Sequence, residues 1–268
     1  MKGRRTVVVT GGGSGIGRAT AKRFGKDGDL VVVADINTES ARAVAGEIAA
    51  AGGEATPFTV DVAQESEVGA FAAALEEEHG GADVLVTCAG RLQNVTSIRN
   101  MDMDEHDRIW AVNYRGVYLC CRDFGRRMAA RGRGCIVNIS STSAIAAFPL
   151  HAYAPAKAAI SHLTAILASD LGPRGVRVNA VVPGYVLTEQ MQARIDAGYR
   201  DKDAMQRQSA LGRIVLPDEV ADGIHFLCSD AARAITGISM PIDGGWLSNV
   251  TYVQHPGWPP RDWNPDAA

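Results

Sequence analysis

Short runs of β-branched and aliphatic residues recur along this chain, each followed by a longer Ala-rich or amphipathic stretch, from Thr6 to about residue 245 without a break in composition. The runs are Thr6 to Thr10, Leu30 to Asp35, Ala55 to Asp61, Asp83 to Thr87, Cys135 to Ser140, Val176 to Val182 and Ile238 to Ile242. Most are continuously apolar, the pattern of strands covered by helices on both faces. Strand and helix in alternation imply a parallel, doubly wound sheet with right-handed crossovers, hence one α/β domain over residues 1–245. After Asp104, Ile109, Val112, Gly116 and Leu119 recur at helical spacing and predict one face against the sheet, while Trp110, Tyr114 and Tyr118 mark a second face. The polar stretch from Leu187 to Leu211 reads as an inserted, mobile segment. Residues 246–268, with three Trp and four Pro, read as a tail rather than another strand–helix unit.

Composition narrows the partners. At 268 residues the chain can bury a core without disulfides or metal. A net charge of -3 gives no electrostatic reason to expect nucleic acid or an anionic membrane, so a small molecule is the expected ligand. Apolar stretches such as Val31 to Ala34 fall far short of the roughly 18 residues that suggest a bilayer span. Met1 to Arg5 is basic but runs directly into the first strand, so no signal peptide is expected. Cys88, Cys120, Cys121, Cys135 and Cys228 show no paired CxxC spacing, and reduced thiols in the cytoplasm, with no metal site, are the expectation.

Thr10-Gly11-Gly12-Gly13-Ser14-Gly15-Ile16-Gly17 joins the first strand to an Ala-rich helix. Such a turn needs glycine for a tight reversal, for close backbone approach to a pyrophosphate and for packing of the helix on its strand. The helix N-terminus offers free N–H groups and positive potential to phosphates. A glycine cluster alone would be a flexible turn; its place between strand and helix points to a dinucleotide. Asp35 ends the second strand, where a carboxylate can accept hydrogen bonds from both hydroxyls of an adenosine ribose. Its charge would repel a 2′-phosphate, and Gly13, Ser14 and Ile36 supply no cation, so NAD is expected over NADP. Asp35 could instead cap the helix starting near Thr38.

Tyr153 and Lys157 lie four apart at the start of a helix and so share a face, with Pro155 tolerated in the first turn. An ammonium beside a phenol favours the phenolate, making tyrosine a usable base near neutral pH. Upstream, Ser140 and Ser141 fall at the C-terminal end of a parallel strand, where a hydroxyl can donate to a substrate oxygen that gains negative charge; either could equally be a turn residue. Asn113 follows Val112 on the buried side of its helix, and a buried amide needs partners.

Together these residues resemble the short-chain dehydrogenase/reductase family over about Thr6 to Gly245. The shared motifs are Thr10-Gly-x-x-x-Gly15-x-Gly17, Asp61-Val62, Ala89-Gly90, Asn113, Ile139-Ser140-Ser141, Tyr153-x-x-x-Lys157, Val178-Asn179, Pro183-Gly184 and Asp243-Gly244-Gly245. The resemblance implies a seven-stranded Rossmann-type sheet of order 3-2-1-4-5-6-7. It implies a catalytic set of Asn113, Ser141, Tyr153 and Lys157, with Tyr153 exchanging the proton. Lys157 would bind the nicotinamide ribose and lower the tyrosine pKa, Ser141 would orient the substrate oxygen, and Asn113 would hold a water. Gly11, Ser14, Gly15, Ile16 and Gly17 would cradle the phosphates, Asp61 and Val62 would contact adenine, and Ala89 and Gly90 would line the ribose path. Pro183, Gly184, Val186 and Thr188 would hold the nicotinamide. A homotetramer formed through the helices starting near Asp104 and Ala152 is also implied.

Three departures from the family pattern stand out. Thr87-Cys88 replaces the usual asparagine pair before Ala-Gly, the interval from Ser141 to Tyr153 is one residue short, leaving Ser140 as a rival to Ser141, and the chain continues past Gly245. The expected reaction is NAD-dependent interconversion of a secondary alcohol and a ketone. The expected substrate is a polyol, sugar derivative or other polar alcohol, the alternative being a cyclic, steroid-like or 3-oxoacyl compound. A dehydratase or epimerase would need a larger C-terminal domain, and a non-catalytic NAD sensor would not need the Tyr, Lys and Ser. The pocket is expected to draw on Arg91, Gln93, Ser143, His151, Tyr185 and the segment from Glu189 to Arg213. Trp246, Tyr252, Trp258 and Trp263 would cover a substrate cleft or clasp a subunit interface.

Overall fold

A computed structural model describes residues 4–252. Seven parallel strands form one sheet: β1 (Thr6–Thr10), β2 (Leu30–Asp35), β3 (Glu54–Thr59), β4 (Val84–Thr87), β5 (Gly134–Ile139), β6 (Val176–Pro183) and β7 (Ser239–Ile242). Their order is β3-β2-β1-β4-β5-β6-β7, as the motifs imply. The helices between them are α1 (Gly15–Lys26), α2 (Thr38–Ala50), α3 (Glu65–His79), α4 (Met103–Trp110), α5 (Val117–Arg131), α6 (Tyr153–Leu171), α7 (Glu189–Asp196), α8 (Lys202–Gln208) and α9 (Pro217–Leu227), and α10 (Trp246–Asn249) follows β7.

The continuous apolar runs are explained by two cores, one on each face. Val7, Val9, Val31 and Val33 pack with Phe24 of α1, Ile48 of α2 and Leu227 of α9. Val8, Val32, Leu85 and Ile136 point the other way, onto Phe71 of α3, Phe124 of α5 and Ile160 of α6. Successive strand residues therefore serve opposite cores.

Four sequence expectations shift. β3 ends at Thr59 rather than Asp61; it is a largely exposed edge strand carrying Pro57, which can sit only where no neighbour needs its missing N–H. The helix expected after Asp104 is interrupted by a π-helical turn, Ala111–Gly116. The segment from Leu187 to Leu211 forms α7 and α8. It is pinned to the C-terminal turn by bonds from the Ser209 hydroxyl (2.9 Å) and the Leu211 N–H (3.0 Å) to the Gly244 carbonyl. Trp246 belongs to the folded body: it is buried, stacks on Phe148 (5.3 Å), meets Tyr185 edge-on, and donates its indole N–H to Gln208 (3.0 Å). Trp258 and Trp263 lie outside the described residues. Among the described residues no helix is long and apolar enough to cross a membrane, no side-chain cluster could hold a metal ion, and the five cysteines are free thiols.

Candidate active site

The strand order reverses between β1 and β4, and an open sheet leaves a crevice at the carboxyl ends of such a pair. Here it is a cleft of about 1240 Å³, bordered by the glycine turn, Asp35, Asp61, Val62, Cys88 to Leu92, Ser141, Tyr153, Lys157, Pro183, Gly184, Val186 and Thr188. The glycine turn is shaped for close approach. Gly11 has φ 64°, and a β-carbon on Gly17 would collide with the Gly11 carbonyl oxygen. Without those side chains the backbone amides leading into α1, which include Ser14, Gly15 and Ile16, are left open to a pyrophosphate. The residues present therefore fit a dinucleotide.

Asp35 closes the adenosine end. Its carboxylate accepts hydrogen bonds from the N–H groups of Gly13 and Asn37, both at 2.9 Å. The cap of α2 is Asn37, whose side chain accepts from the Ser40 N–H (3.0 Å), so Asp35 does not cap that helix. Asp61 accepts from the Ala63 N–H (2.9 Å) and so orders its own turn, while Val62 packs against Gly116 of the π turn. Ala89 hydrogen-bonds through its N–H to the Thr10 hydroxyl (3.4 Å), joining the ends of β1 and β4. Opposite, Gly184 donates to the Ile242 carbonyl (3.2 Å) and Val186 bridges to Val215. The Thr188 hydroxyl caps α7 through the Met191 N–H (3.2 Å), and its methyl lies over Gly15. The same helix is tied to α1 by the Arg18–Glu189 ion pair (3.5 Å).

Tyr153 and Lys157 share a face as their spacing predicts, with the ammonium nitrogen 5.6 Å from the phenol ring centre. Lys157 is buried and donates to the Ile139 carbonyl (2.8 Å). Burial disfavours its charge and brings its pKa down to about 8, the nearby Cys88 acting in the opposite sense. Burial likewise pushes the Tyr153 phenol up, partly offset by a hydrogen bond with Ser141. Desolvation is the larger influence on both groups in this cleft, and the hydrogen bond with Ser141 eases ionisation of the phenol.

The two serines separate cleanly. Ser140 is turned inward, donating to the Lys157 carbonyl (2.9 Å) and sharing a hydrogen bond with Ser161 (2.7 Å), so it braces α6. Ser141 faces Tyr153, and its oxygen accepts from the N–H (3.2 Å) and hydroxyl (3.0 Å) of Ser143, which leaves its own proton to be donated on the side where the Tyr153 phenol stands. Ser143, expected in the pocket, stands behind Ser141. Asn113 is fully buried in the π turn, its carboxamide clamping the Arg91 backbone by accepting from the N–H (2.7 Å) and donating to the carbonyl (2.9 Å). Such turns are rare and frequent at functional sites. Of the other pocket residues, Arg91 and His151 are exposed, Tyr185 packs on Trp246, and Gln93 is buried against the start of α6. Thr87, in place of an asparagine, donates to the buried Asn138 amide oxygen (2.8 Å), so that departure stays within the sheet.

A family model described as Enoyl-(Acyl carrier protein) reductase matches residues 11–247. D-threitol dehydrogenase of Mycolicibacterium smegmatis is 37% identical over 243 residues, covering 90% of this chain and 92% of that protein. The 2,5-dichloro-2,5-cyclohexadiene-1,4-diol dehydrogenase of Sphingobium indicum is 37% identical over 246 residues, 91% of this chain and 97% of that one. Among solved structures, a Brucella melitensis chain described as ribose-5-phosphate isomerase superposes with TM-score 0.87 at 42% identity, covering 93% of this chain and 96% of that chain. A putative NAD(P)-dependent gluconate 5-dehydrogenase from Beutenbergia cavernae, with bound NADP, gives TM-score 0.84 at 35% identity, covering 91% and 97%. The chain belongs to the short-chain dehydrogenase/reductase family, and is an oxidoreductase of the kind that acts on CH–OH groups with a nicotinamide cofactor.

Proposed function

We propose that this enzyme interconverts a secondary alcohol and its ketone on a small polyol, sugar derivative or similarly polar alcohol, using NAD. The observation that carries the reading is the Ser141 hydroxyl set against the Tyr153 phenol, with the Lys157 ammonium 5.6 Å from that ring, in the cleft that the glycine turn and Asp35 border. Tyr153 exchanges the proton of the substrate hydroxyl. Ser141, its oxygen already occupied by Ser143, donates to the substrate oxygen as negative charge develops there. Lys157 supplies positive charge beside the phenol and Asn113 keeps the Arg91 backbone in place at the cleft wall. The glycine turn, Asp35, Asp61, Val62, Ala89, Gly90, Pro183, Gly184, Val186 and Thr188 hold the cofactor. When bound, the nicotinamide supplies the hydride acceptor and, in its oxidised form, further positive charge near the phenol.

Two features support the finer points. Asp35 places a carboxylate at the adenosine end, and Arg18, which lines the cleft beside the turn, is already engaged with Glu47 (2.8 Å) and Glu189 (3.5 Å), which favours NAD over a cofactor bearing a 2′-phosphate. Arg91, Asn94, Glu105 and Arg194 line the cleft beside Leu92, Val112 and Met191, a mixed lining suited to a polar alcohol. A cyclic diol fits the same lining, in keeping with the Sphingobium relative's name.

The test is NADH formation from NAD with D-threitol, gluconate, a cyclohexanediol and a sterol, repeated with NADP. Tyr153→Phe is expected to lose at least about 99% of turnover while keeping its NAD affinity. Retention of more than a few per cent of turnover in that variant, or nicotinamide-independent isomerisation of ribose 5-phosphate by the wild type, overturns the reading. Preference for NADP would overturn the cofactor assignment alone.

A further inference from the structure

The helix that carries Tyr153 and Lys157 has no cap of its own. Its N-cap position is Ala152, which is fully buried and has no side-chain acceptor, so the first amides of α6 face protein rather than water. Gln93 answers them from 59 residues away: its side-chain oxygen accepts from the N–H of both Ala152 and Tyr153, each at 3.0 Å. The amide nitrogen of the same group donates to the Met101 sulfur (3.2 Å), and Gln93 is only 2% exposed. Two residues earlier its loop is clamped by Asn113 through both polar groups of the Arg91 backbone. A continuous series of hydrogen bonds and backbone therefore runs from the π turn to Tyr153. Gly90, which precedes Arg91, lies beside it: a β-carbon there would be 3.6 Å from the Asn113 side-chain oxygen and 3.9 Å from the Lys157 nitrogen.

We infer that Gln93 is a positioning residue for the proton-transfer step. It holds the first turn of α6 against the loop that follows β4, and so sets the height of the Tyr153 phenol over the cleft without touching substrate. The inference rests on Tyr153 being the proton-exchanging group. A capping glutamine that served stability alone would leave the reaction unchanged once the protein was folded. One that sets position must be felt in kcat, because misplacement by about 1 Å can cost as much as 100-fold in rate.

Among the described residues, charged side chains bordering the cleft that holds the phenol include Glu105 and Arg194. Lys157 faces the phenol from its own helix and Ser141 from the turn after β5; Cys88, just after β4, faces Lys157, and Arg91 borders the same cleft. A carboxylate in place of the Gln93 amide would add a negative charge at the base of this group while preserving both acceptor bonds.

Two variants test this. Gln93→Leu, assayed with NAD and D-threitol well below its melting temperature, is expected to lose at least about tenfold in kcat with the KM for NAD changed less than about twofold. Gln93→Glu is expected to recover most of the lost melting temperature and to move the Tyr153 phenolate transition up by about one pH unit. That transition is read as the ultraviolet difference between cofactor-free protein and the same protein carrying Tyr153→Phe, so it requires no substrate. A wild-type kcat in Gln93→Leu, or an unmoved phenolate transition in Gln93→Glu, overturns the inference. Turnover surviving in Tyr153→Phe alone overturns the reading beneath it, and leaves the phenolate transition to decide whether Gln93 controls the phenol.

Discussion

A lysine side chain held neutral half the time at mild alkaline pH is a cost that the fold carries for its site. The Lys157 pKa is about 8 in the folded protein against 10.5 for an unburied lysine. Between those values the unfolded chain binds a proton that the native one lacks, so stability rises with pH across that window; below it both states are charged and the burial penalty is carried in full. A shift of this size corresponds to about 3 kcal/mol, less about 1 kcal/mol for the bond to Ile139 that a replacement would lose. Lys157→Met in the cofactor-free protein is therefore expected to be more stable than wild type by about 2 kcal/mol at pH 7, the difference shrinking towards pH 10. Urea unfolding at the two pH values measures it, and a difference that stays constant would show that the lysine is not desolvated. Tyr153 and Lys157 were legible in the sequence because one helical turn separates them. Gln93 and Asn113 were only partly so: their partners are Ala152, Tyr153 and Arg91, and nothing local marks a carboxamide that completes another element.

Strands were the most legible elements, because burial on two faces leaves an unbroken apolar run that few other structures need. Boundaries moved where one of those faces was missing, as at β3, whose outer edge has no neighbour. The π turn could not be read from the periodicity, since Ile109 before it and Leu119 after it are both buried as expected; within it Asn113 takes the fully buried position and Val112 is only half-buried. Helices α7 and α8 were hidden by their polarity: among their residues only Met205 is buried, and they are held by polar ties to neighbouring segments. The glycine turn joins β1 to α1 as its place in the sequence predicts, and its geometry gives a prediction for the element as a whole. Gly17→Ala forces a methyl group against the Gly11 carbonyl, so the turn must open. Overpacking of this kind costs about 1–3 kcal/mol, and NADH binding followed by fluorescence is expected to weaken roughly tenfold or more. Unchanged affinity would mean that the turn does not cradle the phosphates.

At the scale of the whole molecule, we propose a homotetramer built on α5 and α6, whose outward faces present Tyr118 at 44% and Ile166 at 52% exposure. Sedimentation is expected to give a tetramer for the wild type and smaller species for Ile166→Glu; a monomeric wild type would refute the assembly. Trp246 marks the limit of what composition could tell. A tryptophan that opens a proline-rich stretch reads as the start of an appendage, whereas its burial depends on Phe148, Tyr185 and Gln208, each from a different part of the chain. Helix α6 extends the same interdependence outward. Its first residue stands in the reaction cleft, and between three and four turns along it Ile166 points to solvent on the face proposed for assembly. A single rigid rod would then be gripped at one end by Gln93 and along its flank by a sister subunit. Specific activity would depend on how dilute the protein is, and chains separated by dilution would be poorer catalysts before they were unfolded ones.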